Sequence, residues 1–210
     1  MVRGMIEAAP TTLTRAQQST ETRARLIRAA AQLFSERGYA ATSVAAIGAQ
    51  AGASRGLVNF HFGTKENLLW AVIDDVVGDW ERTMFPPDAA ADSPLQAVRR
   101  VFDAHRRFVV SEPERARLLF RLQAEALNPE LGLDAFTNLH ERWLELTRAW
   151  WHAAVDSGTV DPSLDHNAVA TFTIGALRGI AQEWLLAPDA VDIEAAYEQL
   201  WRAFERSVSP

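Results

Sequence analysis

The stretch from Thr42 to Lys65 holds the residues whose types and spacing could do chemistry. Its sequence is TSVAAIGAQAGASRGLVNFHFGTK, and Val58 and Phe62 are spaced four apart, as on the buried face of a helix. With that face packed, the helix turns other side chains outward. Arginine can pair with guanine and asparagine with adenine through two hydrogen bonds, and leucine can contact a thymine methyl. The outward residues, which predict contacts to base edges, are Arg55, Leu57, Asn59 and His61.

Residues suited to DNA phosphates flank this stretch. Thr42 and Ser43 stand where one predicted helix begins, and Lys65 stands at the start of another. Helix starts and cations are common phosphate contacts. Ala51 and Gly52 separate two short predicted helices, and such a pair joined by a tight glycine turn forms a helix-turn-helix, whose second helix can enter the major groove.

Another chemistry is formally present in the same residues. Gly52 to Gly56 satisfies G-x-S-x-G, the nucleophile elbow of hydrolases. That motif has meaning on a strand-to-helix turn, whereas here it joins two predicted helices, so we expect Ser54 to be a helix cap. A helical hydrolase or ligand-binding protein with an unused helix-turn-helix is kept as the alternative, and a pure protein-interaction module is a third possibility.

Metal and cofactor chemistry is not indicated. The chain has no cysteine, and its five histidines never adopt H-x-x-x-H or H-E-x-x-H spacing. We therefore predict no catalytic residue, no metal site and no cofactor.

The elements that must position these residues are all helical. Apolar residues recur at helical spacing along the chain, and no segment alternates as a strand does. Thr20 is the expected cap of the first helix, Thr42 or Ser43 of the second, and Ser93 of the fifth. The sequence predicts an all-α fold of about nine helices, over residues 20–37, 42–51, 54–61, 64–85, 93–110, 112–128, 134–156, 164–186 and 191–207.

The charge distribution favours a nucleic-acid partner for one part of the chain. The net charge is −6, but residues 1–65 carry eight basic and three acidic side chains, whereas the remainder is strongly acidic. Such an asymmetry is typical of a DNA-facing segment joined to an acidic body. No window approaches 18 uncharged apolar residues and the first twenty residues lack a signal-peptide core, so we expect no membrane span and no secretory segment. The predicted DNA-binding motif leads us to expect a cytoplasmic location.

Residues 25–69, RLIRAAAQLFSERGYAATSVAAIGAQAGASRGLVNFHFGTKENLL, resemble the tetracycline-repressor (TetR) family of transcriptional regulators. The shared features are LF-x-x-x-G-Y, the T-S-V entry to the second helix, the A-G-x-S-x-G turn and F-x-x-K-E-x-L-L. The resemblance adds Gly56 to the expected base or groove contacts. Many members have Tyr where this chain has Asn59, so operator preference does not transfer.

The resemblance implies a three-part organisation. We expect a flexible arm over residues 1–19, a DNA-binding domain over 20–66, and a ligand-binding and dimerisation domain over 67–210, with the fourth helix as the lever between them. The implied function is that of a homodimeric transcriptional regulator, with repression favoured over activation. It binds a palindromic double-stranded DNA operator and is released when a hydrophobic or aromatic small-molecule effector binds.

Two further sets of residues are predicted in the body. The polar and aromatic residues of an effector pocket are expected to be Trp80, Phe102, His105, Phe120, Gln123, Asn138, Trp143 and Phe172. The last two helices are expected to form the dimer interface through Gly175, Gly179, Leu186, Tyr197, Leu200 and Phe204.

Overall fold

The computed structural model describes residues 14–84, 93–131 and 133–208 of the chain. These residues form α-helices joined by turns, with one 3₁₀ turn at Pro129–Leu131 and no strand among them. The all-α prediction is therefore confirmed. The helices are α1 (Arg15–Arg37), α2 (Val44–Gln50), α3 (Arg55–Phe62), α4 (Lys65–Met84), α5 (Pro94–Ser111), α6 (Pro113–Ala126), α7 (Asp134–Asp156), α8 (His166–Leu186) and α9 (Ile193–Val208).

The first helix begins earlier than the sequence prediction places it. Thr14, rather than Thr20, is its N-cap: the Thr14 hydroxyl accepts from the Gln17 N–H, and the Gln17 side chain accepts from the Thr14 N–H. This reciprocal capping box makes a polar first turn stable without apolar periodicity. Residues 15–19 of the predicted arm are thus helical, and the rest of the arm up to residue 13 lies outside the described residues.

Serine and threonine side chains cap the starts of α2, α3, α4 and α5, as predicted from local sequence. Ser43, Ser54 and Ser93 each accept a hydrogen bond from the backbone N–H three residues later, and Thr64 does the same before α4. Ser43, not Thr42, is the cap of α2. These bonds satisfy N–H groups that have no partner within the helix.

The first four helices share one apolar core. Leu26 and Phe34 of α1, Ile47 of α2, Val58 of α3 and Leu69 of α4 are all buried in it. Burying α4 beside α1 joins the short helices to the rest of the chain, because the same α4 also packs against α5 and α7. The position of α3 is therefore tied to the helices of the body.

The body has its own aromatic core. Phe102 of α5 meets Trp201 and Phe204 of α9 edge to face at 5.5 and 5.4 Å between ring centroids, and Trp151 of α7 stacks on Phe204. The Trp151 indole N–H donates to the Thr173 hydroxyl of α8 at 3.2 Å. This packing joins α5, α7, α8 and α9 into a bundle. No described helix has an apolar stretch long enough to cross a bilayer.

Candidate nucleic-acid interface and ligand cavity

The turn between α2 and α3 depends on two glycines. Gly52 has φ of +64°, a left-handed conformation that glycine adopts without strain. Gly48 lies so close to the turn that a β-carbon there would be 2.9 Å from the Ala53 carbonyl oxygen. Both positions therefore set the steep helix-turn-helix arrangement that the sequence predicted.

Helix α3 has one buried side and one uncovered side. Val58 and Phe62 lie in the core, whereas Arg55, Gly56 and Asn59 are exposed. Within the described part of the chain, no hydrogen bond or ion pair occupies the side chains of Arg55 and Asn59. Their polar groups are accordingly available to a partner, in the pattern expected of a major-groove helix.

Leu57 and His61 are only partly exposed, and their neighbour Phe60 is more open to solvent than either. Phe60 is 78% exposed and meets the His61 ring edge to face at 5.3 Å. Phe60 was not among the residues predicted to contact DNA. Its exposure could have been predicted from the sequence, because Val58 and Phe62 occupy the core side of the helix and leave position 60 on the opposite side.

The structure does not support the phosphate contact predicted for Thr42. Its side chain is 2% exposed, its hydroxyl donates to the carbonyls of Gly38 and Leu33, and its N–H donates to Tyr39. A hydroxyl has one proton, so none remains for a phosphate. Thr42 instead fixes the α1–α2 connection, residues 38–43. Ser43 is exposed at the start of α2, where the predicted phosphate contact is sterically open.

Lys65 lies at the start of α4, half-buried beside the same connection. Its Nζ is 4.1 Å from the ring centroid of Tyr39, a cation–π contact. Burial lowers the pKa of Lys65, and the nearby Glu125 carboxylate opposes that shift. The candidate phosphate contact is thus held in place by a residue of the α1–α2 connection.

Helix α6 of the body is hydrogen-bonded to this connection and to the end of α1. The Glu125 carboxylate accepts hydrogen bonds from the backbone N–H of Tyr39, at 2.9 Å, and of Ala40, at 3.2 Å. One turn earlier, the Arg121 guanidinium donates to the Ser35 carbonyl at 2.6 Å. We call these bonds the α6 clamp. They are contacts between residues 85 or 86 positions apart, and no local pattern in the sequence predicts them.

A small cavity of about 30 Å³ lies inside the body, among α5, α6, α7 and α8. That volume holds one or two water molecules, so a larger ligand has to displace side chains. Four of the predicted pocket residues line it: His105, Phe120, Gln123 and Trp143. Six lining residues were not predicted: Phe108, Val109, Ala116, Leu119, Phe136 and Arg178.

The other predicted pocket residues lie elsewhere. Phe102 is buried against α9 and does not line the cavity, and Asn138 is exposed on α7. Phe172 is 62% exposed on the outer side of α8. The error has one physical cause, since a helical pattern shows that a residue is apolar but not which of two neighbouring surfaces it faces. Trp80 belongs to α4, but its side chain lies outside the described residues.

His105 is the buried polar residue of the cavity wall. Its Nδ1 lies 2.6 Å from the Tyr197 hydroxyl. Burial lowers the pKa of His105 to about 3, and the neighbouring Arg178 guanidinium contributes. Burial likewise raises the pKa of Tyr197. At neutral pH the pair is therefore uncharged.

The predicted dimer residues divide between the surface and the core. Gly175, Gly179 and Leu186 are exposed on α8, and a β-carbon at either glycine would meet nothing within 4 Å. In contrast, Tyr197 and Phe204 are 4% and 2% exposed, so they pack within the chain and the interface prediction for them is wrong. Leu200 of α9 is partly buried. Phe172 is also largely exposed on α8, although its ring contacts Phe204 at 5.2 Å between centroids. The exposed residues form a mostly apolar face of α8.

Nothing in the described residues points to hydrolysis or to a metal centre. Ser54 caps α3, where its hydroxyl accepts the Leu57 N–H at 3.2 Å. No group of three metal-ligating side chains is found in the described ranges.

Comparison with known proteins assigns the first four helices. Residues 26–72 match the family model described as bacterial regulatory proteins, tetR family. The chain is 26% identical to the HTH-type transcriptional regulator AcrR of Shigella flexneri over 189 residues, 85% of each protein. Residues 26–72 therefore form a DNA-binding segment of the TetR type. The chain is accordingly a helix-turn-helix transcriptional regulator.

Other TetR-family proteins agree in sequence or in fold. A transcriptional repressor of Mycobacterium tuberculosis, Rv3405c, is 38% identical over 87 residues, which are 41% of this chain and 44% of that protein. The structure of NalD, described as the secondary repressor of the MexAB-OprM multidrug efflux pump in Pseudomonas aeruginosa, superposes with a TM-score of 0.71 at 20% identity. That superposition covers 91% of this chain and 98% of NalD, and it establishes the fold of the whole body.

Proposed function

We propose that this TetR-family chain is a homodimeric repressor that reads a palindromic DNA operator with α3 and releases it when a hydrophobic or aromatic small molecule opens the body cavity. The observation that carries the DNA-binding part is the uncovered side of α3, where Arg55 and Asn59 are free beside the exposed Phe60. The preference for repression follows relatives whose names describe repressors. The site of action is the cytoplasm, as expected of a protein that regulates transcription.

The proposed contacts fall into two classes. Arg55, Gly56, Leu57, Asn59 and His61 contact bases or the groove, with Phe60 placed to meet a thymine methyl, whereas Ser43 and Lys65 contact phosphates. Base contacts decide which sequence is bound, and phosphate contacts set orientation and affinity. This division gives each class its own mutational signature.

The proposed dimer forms through α8. Phe172 and Leu186 are 62% and 81% exposed, and Gly175 and Gly179 between them would allow two backbones to approach closely. A two-fold axis there would place two copies of α3 on one side of the dimer. Their separation should match one turn of B-DNA, about 34–36 Å, or a variant of it.

Release is proposed to run through α6. One side of α6, with Ala116, Phe120 and Gln123, lines the cavity, and another, with Arg121 and Glu125, forms the α6 clamp. A ligand that enlarges the cavity pushes α6 and changes the α1–α2 connection, which holds Lys65 through Tyr39. This route adds to the one through α4, the predicted lever, which runs from Lys65 into the body. A coupling of about 1–3 kcal/mol would weaken DNA binding about 5- to 150-fold.

Selection of binding sites from random duplex DNA tests the proposal. We expect a palindrome with half-sites about 10 base pairs apart, bound by two chains. Arg55→Ala and Asn59→Ala should each lose about 1–3 kcal/mol of discrimination at one base pair per half-site, as measured by fluorescence anisotropy on single-base variants. Arg206→Ala, which removes an equal charge from the distant α9, serves as the control. Selection of no sequence, or an unchanged preference after both substitutions, contradicts the proposal.

A further inference from the structure

The wall of the body cavity contains a cation, Arg178, with a buried nitrogen that has no hydrogen-bond acceptor among the described residues. Arg178 projects from α8 into a lining that includes Phe108, Phe120, Phe136 and Trp143. Its guanidinium carbon is 5.5 Å from the Trp143 ring centroid. Its Nη2 is buried and makes no hydrogen bond, and no carboxylate of the described residues forms an ion pair with it.

This arrangement is costly for the protein alone. A buried donor without an acceptor costs about 1–3 kcal/mol, and more when it is charged. Burial lowers the pKa of Arg178 only to about 10, so the guanidinium remains charged at neutral pH. His105, which also lines the cavity, cannot compensate, because it is neutral at that pH and cannot carry a negative charge. An incoming anion would meet the unused donor directly.

The carboxylate that contacts the cavity residue Trp143 is already engaged. Glu81 of α4 accepts from the Trp143 indole N–H at 3.0 Å and from the Arg142 guanidinium. The first of these bonds holds Trp143, whose ring contacts the Arg178 guanidinium, and the two together occupy the Glu81 carboxylate. Among the described residues no acceptor reaches the Arg178 Nη2, so a ligand can supply one.

We propose that the effector is a small aromatic carboxylate, whose ring lies among the aromatic side chains of the cavity and whose carboxylate pairs with Arg178. The proposal rests on the effector site of the proposed function and specifies the ligand's chemical class. A carboxylate matches the planar guanidinium with two parallel hydrogen bonds. The cavity of about 30 Å³ favours a single ring, because each further ring would require more of the wall to move.

Matched pairs of acid and amide test the proposal. Benzoate and phenylacetate are titrated calorimetrically into the full-length protein beside benzamide and phenylacetamide, which keep the ring and lose the charge. We expect the acids to bind at least tenfold more tightly than the amides, in line with a charge-assisted hydrogen bond. Arg178→Met should abolish that preference, and Arg107→Met, at an exposed site on α5, should retain it.

Three controls keep the result interpretable. The melting temperature of Arg178→Met reports folding, and we expect it to equal or exceed that of the wild type, because a buried unpaired charge has been removed. Arg178→Lys keeps a cation but cannot form the two parallel bonds, and should bind benzoate with intermediate affinity. Inorganic phosphate at equal concentration tests for binding by any anion.

The outcomes separate this proposal from the DNA-binding function. Equal affinity for acid and amide, a preference that survives Arg178→Met, phosphate binding as tight as benzoate, or no binding of either acid to the wild type would each overturn it. Calorimetry does not involve DNA. Failure to retain any duplex therefore contradicts the proposed regulator without affecting the ligand result.

Discussion

The α6 clamp predicts that Glu125→Ala destabilises the DNA-binding helices and uncouples them from the body. The Glu125 carboxylate is 20% exposed and accepts from two backbone N–H groups of the α1–α2 connection. The bond to the half-buried Tyr39 N–H, charge-assisted on the acceptor side, is worth about 1.5–3 kcal/mol. The bond to the exposed Ala40 N–H adds little, because water can replace it.

The expected cost of Glu125→Ala is therefore about 2–3 kcal/mol in the free energy of unfolding, or about 5–10 °C in melting temperature for a chain of this size. Urea unfolding followed by circular dichroism at 222 nm measures it. Glu114→Ala is the matched control, because Glu114 is on the same helix, is 80% exposed and pairs only with Arg117. Surface pairs of that kind are worth about 0–1 kcal/mol.

The clamp also predicts a functional change. Without Glu125, the α1–α2 connection no longer follows α6, so a ligand that releases wild-type protein from its operator should release Glu125→Ala much less. Anisotropy titrations with and without ligand give the coupling free energy directly. If Glu125→Ala and Glu114→Ala unfold within about 0.5 kcal/mol of each other, and both keep the full ligand response, the reasoning from the clamp is refuted.

Three further predictions concern a phosphate contact, a buried histidine and the α8 face. Lys65→Ala should weaken binding to all DNA sequences about equally and lower the salt slope by about 2 per dimer, with Lys65→Arg as the control; a base-specific loss would contradict this role. His105 stays neutral in the fold but gains a proton on unfolding below about pH 6.5, so it lowers stability by about 2 kcal/mol at pH 5 relative to pH 7. His105→Gln should remove that pH dependence in urea unfolding at the two pH values, whereas His152→Gln, at an exposed site, should keep it. Gly175→Arg should give monomers by ultracentrifugation, since two like charges would meet across the two-fold axis, and Ala149→Arg on α7 should stay dimeric.

Much of the DNA-binding region could be predicted because its determinants are local. Ser43 and Ser54 cap helices by hydrogen bonds that reach three residues along the chain, and Gly52 sets a turn by its own φ. The spacing of Val58 and Phe62 places the other residues of α3 outside the core. Such features are read within one or two helical turns of sequence. Thr42 was misassigned because its hydroxyl is used by a carbonyl nine residues away.

The body was less predictable because its helices are apolar on more than one side. Phe172 was expected in the pocket and is exposed, whereas Tyr197 and Phe204 were expected at an interface and are buried. Periodicity identifies an apolar face, but a helix in a bundle has several neighbours. The choice among them depends on how the whole set packs.

The sequence by itself determined the helix-turn-helix, its caps and the residues of α3 that stay outside the core. Those properties depend on backbone bonds and spacings within a short segment. Tertiary structure alone decided that Arg178 lines a cavity with no acceptor for its Nη2 among the described residues, and that Glu125 is hydrogen-bonded to a connection 86 residues earlier in the chain. Both are contacts between distant segments, whose formation depends on the packing free energy of the entire bundle.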